Sequence, residues 1–475
     1  MTEPHALSLD FVAQALGAKA PPSPQRIGRV TGDSRALRPG DLFVALRGER
    51  FDGHDFIPRA LAQGAAGVIS EKAVADKGEA VIFEVSDSLA AYRALAAAWR
   101  RRLGLPVLAI AGSVGKTTTK EMLAALLRGR YTQLVATQAS ENGFVGIPKT
   151  LLELRAESEV AVVEIGIDAP EAMAAHLELV LPDALVVTAV GAEHLEGFGS
   201  IAKAAEEECL ALHWMHARGG LAAINLDDPY LAPFATLGGG RPWVGYSLRS
   251  HLRPAADRIR GEYDEVGETL KLWGAGFAGE CFSCPLPGRH NARNLLGALA
   301  LARAWGLEAE ELERGLSSFV PPPGRSHRLR LPSGVEVLYD AYNANPDSVQ
   351  AALRLVWSWQ QRSPGRRSFI CLGDMAELGT RERYFHERLA RPLRVLKPAA
   401  LWLYGRKMRF LFEGLRQENA GFDLQYFESK SEMGRALHAQ ARPGDLILIK
   451  GSRSTGMEDV FDALRSSADP SPRSE

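Results

Sequence analysis

A glycine-rich loop at residues 111–119, AGSVGKTTT, is the feature that most limits how this chain can fold. It follows the apolar run PVLAIAG, which is typical of a buried strand, and precedes KEMLAALLRGRY, which has the pattern of an amphipathic helix. A loop between a strand and a helix directs the backbone N–H groups at the helix start toward a bound anion. The segment therefore predicts a phosphate-binding loop within an α/β sheet.

Each residue type in this loop has a role in holding a nucleoside triphosphate. Gly112 and Gly115 allow backbone amides to converge on phosphate oxygens. Lys116 neutralises the β- and γ-phosphates, and the Thr117 hydroxyl ligates Mg²⁺. The alternative, a glycine turn with a surface lysine, leaves the triple threonine and both flanking elements as coincidences. We predict that ATP and Mg²⁺ are bound by the loop residues Gly112, Ser113, Val114, Gly115, Lys116, Thr117 and Thr118.

The chain of 475 residues is too long for one hydrophobic core, and its pattern divides into three α/β regions. Short β-type runs alternate with one helical stretch between Arg26 and about Val85, and the helix AAYRALAAAWRRRLG leads out of that region. The runs VAVVEIGI, DALVVTAV and GGLAAINLD continue the central region as buried strands. The prolines of PPPGRSHR precede a third set of strands, VEVLYDAY, RRSFICLGD, AALWLYG and GDLILIKG.

The predicted fold class is α/β with three domains. A central, mostly parallel P-loop sheet is flanked by a small N-terminal α/β domain and a C-terminal Rossmann-like α/β domain. The expected domain boundaries are 1–104, 105–320 and 321–466. A tail at 467–475 lacks apolar residues, so we expect it to be disordered.

Charge and composition exclude several classes of protein. The 56 Lys and Arg residues are balanced by 57 Asp and Glu residues, so the net charge of −1 provides no field that attracts nucleic acid. The segment MTEPHALSLDFVAQALGA lacks the pattern of a secretory leader, and no run reaches the ~18 apolar residues of a membrane span. We therefore expect a cytoplasmic protein with no membrane span and no nucleic-acid partner.

Four cysteines are too few for a disulfide framework in so long a chain, which agrees with a reducing compartment. Cys281 and Cys284 form a CxxC pair, which is half of a zinc site if the fold brings Cys209 and Cys371 alongside. The plainer interpretation is two thiols in a short strand and turn, ECFSCPLPG. We favour the plainer interpretation.

Further segments, in their order along nearly the whole chain, resemble the Mur ligase family. They are TGDSRALRPGDLFVALRGERFDGHDF, GSVGKTTTKE, GIPKTLLEL, PDALVVTAVGAEHLEGFGS, NLDDP, GRHNARN, AYNANPDSVQAAL, LGDMAELG and KGSRSTGME. The phosphate loop also has the short GxxGKT form of that family, since Ile110 replaces the first glycine of the longer form. The segments HLEGFGS, YNANPDS and LGDMAELG are similar to the branch that attaches the terminal dipeptide of the cell-wall precursor.

This resemblance implies an ATP-dependent ligase that acts as a monomer in peptidoglycan precursor synthesis. It implies that UDP-N-acetylmuramoyl-tripeptide and D-alanyl-D-alanine are joined through an acyl phosphate. Lys116, Glu164 and His194 correspond to the catalytic set. The implied metal ligands are Thr117, Glu164, His194 and Glu208. A helix-capping glutamate at 164 and a purely structural histidine at 194 are the alternatives.

The resemblance also assigns residues to the two substrates. Asn225, His290, Asn291 and Asn294 match positions at the adenine end of ATP, although local turn formation is the alternative for each. Arg325 and Asp340 match positions that reach ATP when the third domain closes. Ser34 and Arg35 match the element associated with the uridine nucleotide, with a surface salt bridge as the alternative for Arg35. The other implied substrate residues are Asn142, Asn343, Asn345, Lys450, Ser452 and Arg453.

The chain departs from the family at several of these places. Glu208 stands where the family has a lysine that reacts with CO₂ to form a carbamate. A glutamate offers the same charge and donor atoms on a shorter arm, so Glu208 either helps the second metal or joins Glu206 and Glu207 on a solvated helix face. The other departures are Ser140, Gly143, Ala189 and Tyr339.

These departures leave two alternatives to the dipeptide ligase. The first is a sister ligase that takes a different acceptor or amino donor. The second is a nucleotide-binding protein that has lost ligation and acts as a regulatory or scaffolding partner.

Overall fold

The computed structural model describes residues 7–18, 25–48, 51–238, 243–418 and 420–466. Three sheets follow one another along the chain, with four, nine and six strands. The expected tail at 467–475 lies outside the described residues. The α/β class and the three-domain arrangement are confirmed, while the boundaries at 104 and 320 stay predictions.

The first sheet is small and wholly parallel, in the order β1-β2-β3-β4. Its strands are β1 (Val30–Thr31), β2 (Leu42–Val44), β3 (Gly67–Ser70) and β4 (Val81–Glu84). The helices of this region are α1 (Leu9–Leu16), α2 (Ile57–Ala62) and α3 (Ser88–Leu103). Helix α3 ties this region to the next one, because the indole N–H of its Trp99 donates to the carbonyl of Leu154.

The central sheet has the order β13-β12-β11-β10-β9-β8-β5-β7-β6. Its strands are β5 (Val107–Ala111), β6 (Leu134–Ala136), β7 (Val160–Glu164), β8 (Ala184–Val187), β9 (Leu221–Asn225), β10 (Trp243–Ser247), β11 (Arg258–Asp264), β12 (Thr269–Gly274) and β13 (Phe277–Ser283). Its helices are α4 (Lys116–Leu127), α5 (Gly146–Leu152), α6 (Ala172–Val180), α7 (Leu195–Phe198), α8 (Ile201–Arg218), α9 (Arg289–Ala304) and α10 (Ala309–Leu316).

Helices cover both faces of the parallel part of this sheet. Successive residues of β5 alternate between two buried clusters, with Leu108 and Ile110 on the side of α4, α9 and α10. Val107 and Ala109 face the other cluster, which explains why this strand is an uninterrupted apolar run. Strands β11, β12 and β13 form an antiparallel extension, in which β11 alternates exposed and buried residues because one of its faces meets solvent.

The third sheet has the order β14-β15-β19-β16-β17-β18, and only β14 is antiparallel. Its strands are β14 (His327–Arg330), β15 (Glu336–Asp340), β16 (Ser368–Gly373), β17 (Ala400–Tyr404), β18 (Asp423–Phe427) and β19 (Leu446–Lys450). Its helices are α11 (Pro346–Arg362), α12 (Glu382–Glu387), α13 (Ala390–Leu396), α14 (Met408–Gln417), α15 (Lys430–Gln440) and α16 (Glu458–Ser466).

Cys281 and Cys284 lie together at the end of β13, while Cys209 and Cys371 lie on other elements. Cys209 is on α8, Cys281 on β13 and Cys371 on β16, and all four thiols are free. Over the described ranges, no group of three or more His, Cys, Asp or Glu side chains is arranged to hold a metal ion by itself. The structure thus gives no support to the zinc alternative.

None of the described helices has the length and apolar character needed to cross a bilayer.

Candidate active site

The phosphate loop joins β5 to α4 at the carboxyl edge of the central sheet. Gly112 and Gly115 have φ values of 117° and 93°, a left-handed region that favours glycine. A side chain on Gly112 would collide with the Thr188 hydroxyl, and one on Gly115 would collide with the Asn294 amide. Both glycines are therefore required by the closeness of the neighbouring strand and of α9.

A cleft of about 550 Å³ opens beside this loop and is walled by the central and third domains. This size falls within the usual range for sites that bind small molecules. The cleft brings together most of the predicted residues, namely Ser113, Val114, Gly115, Lys116, Thr117, Thr118, Asn142, Glu164, His194, His290, Asn291, Asn294, Arg325, Asp340, Asn343, Asn345, Lys450 and Arg453.

Glu164 ends β7 and is completely buried below the loop. Its Oε1 accepts hydrogen bonds from the Thr117 hydroxyl at 2.9 Å and from the Asn142 amide at 2.7 Å. Its Oε2 is buried and has no hydrogen-bond partner among the described residues. An unpaired carboxylate oxygen in such a place is costly unless a cation compensates it. The pair of Thr117 and Glu164 therefore fits a Mg²⁺ ion.

Lys116 begins α4, and its ammonium group lies among three carboxylates. Its Nζ is 3.1 Å from Glu193 Oε2 and donates to the Ser113 carbonyl at 3.2 Å. Burial alone would lower the pKa of Lys116, but the neighbouring carboxylates raise it above its ordinary value. These carboxylates belong to Glu193, Glu208 and Glu164. The lysine is thus held in its charged form.

Glu208 is buried on α8, and its Oε2 accepts the Gly112 backbone N–H at 2.8 Å. Burial raises the pKa of Glu208 to about 7, although Lys116 and the Gly112 amide oppose this shift. Glu207 is also buried and accepts the backbone N–H of Met173, so only Glu206 of the three is exposed. The solvated-face alternative for Glu208 was wrong, because that part of α8 packs against the loop and α6.

His194 connects the two walls of the cleft. Its Nδ1 is 2.5 Å from Oε2 of Glu377, which lies in the LGDMAELG segment of the third domain. Burial tends to lower the pKa of His194, but the hydrogen bond with Glu377 and the charge of Glu193 raise it above its usual value. His194 thus holds the third domain in place, which goes beyond the predicted metal role.

Other contacts bring the third domain down onto the phosphate loop. The Arg325 guanidinium donates to Ser140 Oγ at 3.0 Å, and that oxygen is 2.8 Å from the Thr117 hydroxyl. Asp347, in the first turn of α11, accepts the backbone N–H of Ala192 at 3.1 Å. The structure therefore has the closed arrangement in which both domains line one cleft.

Asp340, on the third-domain wall of the cleft, is already neutralised by a neighbouring residue. Asp340 Oδ2 is 2.6 Å from Lys450 Nζ, and Asp340 Oδ1 accepts the Ser326 backbone N–H. Lys450 also donates to the Asn343 carbonyl, while Asn345 caps the start of α11. These contacts order the segment YNANPDS along the cleft.

On α9, which forms the base of the cleft, burial lowers the pKa of His290 to about 4, so its ring is neutral at pH 7. The His290 Nε2 is 3.4 Å from the Ser326 hydroxyl. Asn294 donates to Asn291 Oδ1, which joins two of the predicted adenine residues.

Several predicted residues do not line the cleft. Asn225 is buried, donates to the Thr188 carbonyl and accepts the Asp227 backbone N–H, so its side chain serves the turn after β9. Arg35 is 80% exposed and forms the surface salt bridge with Asp33. Four other predicted residues also lie outside the cleft lining. They are Gly112 and Glu208 behind the loop, Ser34 in the first domain, and Ser452 just before a short 3₁₀ helix at 453–455.

Conversely, the sequence interpretation missed residues that the cleft contains. Glu193 precedes His194 directly, and Asp347 lies within the YNANPDS segment, so both stood next to residues that were identified. Arg293 and Arg354 line the cleft from α9 and α11, and only their position in the fold reveals it. The signal for Glu193 was a charged side chain directly beside a residue of the predicted catalytic set.

Family models match three consecutive parts of the chain. The model described as "Mur ligase family, catalytic domain" matches residues 26–131, and "Mur ligase middle domain" matches residues 110–302. The model described as "Mur ligase, glutamate ligase domain" matches residues 324–453.

Curated relatives carry the name UDP-N-acetylmuramoyl-tripeptide--D-alanyl-D-alanine ligase. The one from Synechocystis sp. is 36% identical over 440 residues, which covers 92% of each chain. The one from Bacillus subtilis is 31% identical over 439 residues, again 92% of each chain.

Solved structures show the same likeness. The crystal structure of MurF from Acinetobacter baumannii has a TM-score of 0.84 and 26% identity, covering 98% of this chain and 100% of that one. MurF ligase from Thermotoga maritima in complex with ADP has a TM-score of 0.76 and 26% identity, covering 92% of this chain and 97% of that one.

Proposed function

The chain belongs to the Mur ligase family, and from this premise we propose which of its residues perform the reaction. It is an ATP-dependent ligase that adds D-alanyl-D-alanine to UDP-N-acetylmuramoyl-tripeptide in peptidoglycan synthesis. The observation that carries the assignment of roles is the unpartnered Glu164 Oε2, which lies below a phosphate loop and beside the Thr117 hydroxyl.

The reaction has two steps, and each gathers negative charge. A carboxylate oxygen of the acceptor peptide attacks the γ-phosphorus of ATP, and the bond from that phosphorus to ADP breaks. The amine of the dipeptide then attacks the acyl carbon of the acyl phosphate. Inorganic phosphate leaves with the carboxylate oxygen that attacked in the first step, and the amine proton passes to solvent. Cations placed in advance are the means to stabilise such charge.

In our proposal, Lys116 and the backbone amides from Val114 to Thr118 hold the β- and γ-phosphates at the start of α4. Gly112 and Ser113 serve ATP binding by shaping the loop, since their N–H groups donate to Glu208 and to the Ala189 carbonyl. A Mg²⁺ ion offsets the charge of the phosphates when it is bound. Thr117, Glu164 and His194 line the cleft and would hold Mg²⁺. For Glu208, which lies behind the loop on the Gly112 amide, the metal role is a proposal with less structural support. Mg²⁺ keeps waters and phosphate oxygens as ligands, so a complete protein cage is not required.

The cleft also suggests where each substrate lies. We assign the adenine side to His290, Asn291 and Asn294 on α9, next to the loop. Arg325 reaches toward the loop from the third domain, beside Asp340. The residues that we place around the acceptor and the dipeptide are Asn142, Asn343, Asn345, Lys450 and Arg453.

Other assignments stay proposals with less structural support. Ser34 and Arg35 in the first domain are proposed for the uridine nucleotide, Asn225 for adenine and Ser452 for the substrate cleft. We also propose that the enzyme is a monomer in the cytoplasm, where both ATP and UDP-linked precursors are available.

The direct test is product formation. Purified protein is incubated with ATP, Mg²⁺, UDP-N-acetylmuramoyl-tripeptide and D-alanyl-D-alanine, and the pentapeptide product and ADP are measured by mass spectrometry and a coupled assay. Lys116→Ala is the matched control and should bind the acceptor but make no product. A panel of other acceptors and amino donors tests the sister-ligase alternative, while ATP binding without any amide product would indicate lost ligation.

A further inference from the structure

Glu193 lies directly before His194 and faces the phosphate loop. Its Oε2 is 3.1 Å from the Lys116 Nζ, and 14% of its side chain is exposed. None of the roles proposed above uses this carboxylate. Its position nevertheless places it at the part of the cleft where the terminal phosphates of ATP would meet Lys116.

The charges around Lys116 do not balance. Three carboxylates act on its single ammonium group, so carboxylates outnumber ammonium groups next to the loop. They belong to Glu193, Glu208 and Glu164. Glu208 is engaged by the Gly112 amide and Glu164 by Thr117 and Asn142. Among the described residues, Glu193 has Lys116 as its one side-chain hydrogen-bond partner.

ATP binding changes this arrangement, because Lys116 must then turn its charge toward the phosphates. Glu193 would be left half-buried beside a polyanion with no compensating cation, which is electrostatically unfavourable. Carboxylate oxygens are preferred ligands of Mg²⁺ and similar hard divalent cations. We propose that Glu193 exchanges Lys116 for a divalent cation when ATP binds, and so serves as a further metal ligand.

The third domain holds Glu193 in this position. The Ala192 backbone N–H donates to Asp347 Oδ2 at 3.1 Å, and the Glu193 N–H donates to the Gly191 carbonyl at 3.0 Å. Gly191 itself lies against Asp347. Docking of α11 therefore supports the segment that carries the new ligand, so cation binding and domain closure should favour each other. This inference rests on the proposed function, since it requires a site for ATP.

The test compares nucleotide binding with and without a metal ion. The probes are Mn²⁺ and the non-hydrolysable ATP analogue AMP-PNP, measured by calorimetry and by electron paramagnetic resonance of bound Mn²⁺. The variants are Glu193→Gln, which keeps the shape and removes the charge, and Glu193→Asp, which keeps the charge. Glu196→Gln, an exposed glutamate three residues away, is the matched control.

We expect Glu193→Gln to act in opposite directions in the two conditions. In EDTA it should bind AMP-PNP as tightly as the wild type or more tightly, because a repelling charge is gone. With Mn²⁺ it should bind the analogue at least tenfold more weakly and lose one bound Mn²⁺ per chain. Glu193→Asp should recover part of the Mn²⁺ binding, and Glu196→Gln should match the wild type in both conditions.

Two results would overturn the inference. An unchanged Mn²⁺ titration for Glu193→Gln would show that the carboxylate binds no cation. A change of equal size and sign in both conditions would show that Glu193 only orders the loop or only repels the phosphates. A wild-type protein that binds Mn²⁺ and AMP-PNP but makes no pentapeptide would contradict the proposed function and leave this inference standing.

Discussion

Two carboxylates, the buried Glu164 and the partly buried Asp340, face the same cleft from opposite walls and have different surroundings. Glu164 of the central domain has one oxygen bonded to Thr117 and Asn142 and one oxygen with no partner among the described residues. Asp340 of the third domain has both oxygens satisfied, one by the Ser326 amide and one by Lys450.

The difference indicates a division of labour between the domains. The central wall carries negative charge that its own groups leave uncompensated, so it is suited to a divalent cation that arrives with a nucleotide. On the third wall Asp340 is already paired with Lys450, and Arg325, Arg354 and Arg453 line the same wall, so it is suited to hold anionic substrates in position. Ligation requires both, which explains why the site is completed by domain closure.

Glu164→Gln removes the carboxylate charge from the central wall and should have the largest effect on activity. The substitution keeps the size of the side chain and removes the charge, so we expect kcat to fall by roughly 10²–10³-fold, as for other removed electrostatic contacts. The unfolding midpoint in urea should stay the same or rise, because an unpaired buried charge is gone. If stability fell together with activity, the proposed role of Glu164 in holding Mg²⁺ would be contradicted. Glu206→Gln, at an exposed position, is the control.

Asp340→Asn should show the opposite pattern, with a loss of stability. It leaves the Lys450 ammonium buried without its carboxylate partner, so the free energy of unfolding should fall by about 3 kcal/mol. Urea denaturation followed by circular dichroism measures this change. Lys450→Met in the same background should restore part of the stability, because it removes the stranded charge. Wild-type stability in Asp340→Asn would show that the pair is not important for the third wall.

His290, on the central wall, makes the stability of the protein depend on pH. Burial holds its pKa at about 4, below the ordinary 6.5, so the unfolded chain binds a proton between these values and the folded chain does not. Its contribution to stability is therefore complete above pH 6.5 and is lost as the pH falls toward 4. Relative to wild type, His290→Gln should remove about 2 kcal/mol of the stability loss between pH 7 and pH 5. His438→Gln, on the exposed side of α15, should leave the pH profile unchanged.

Ser140→Ala tests the contact between the two walls and should have the smallest effect. The variant removes the oxygen that accepts from Arg325 and contacts Thr117. A single hydrogen bond of this kind contributes about 1 kcal/mol, so kcat at saturating ATP should fall roughly fivefold. The thermal midpoint should not change. Wild-type kcat would indicate that Arg325 does not act through Ser140.

Local pattern was enough to predict the phosphate loop and the strands around it. The loop is a contiguous segment, and its glycines are dictated by a turn that few other residues can adopt. The parallel strands appear as apolar runs because both of their faces are buried, as β5 and β7 illustrate. The antiparallel strands β11 and β12 were harder to predict. Buried and exposed residues alternate along them and the exposed ones include charged residues, so their sequences resemble charged loops.

Contacts that depend on the meeting of domains could not be read in this way. Glu377 becomes part of the site through the packing of the third domain, and Glu193 through the folding of the central domain around the loop. Nothing in their local sequence determines the distance to His194 or to Lys116. Similarly, Asn225 belongs to a motif of the family, yet its side chain is engaged by Thr188 and Asp227.

The central claim, that phosphate is transferred to the acceptor before the amide forms, has one direct test. The acceptor is prepared with ¹⁸O in its terminal carboxylate and is incubated with ATP, Mg²⁺, D-alanyl-D-alanine and the wild-type protein, and the released phosphate is analysed by mass spectrometry. We predict that each pentapeptide formed is accompanied by phosphate with one labelled oxygen, and that Lys116→Ala gives neither product. Unlabelled phosphate, or ATP cleavage without pentapeptide, would contradict the account.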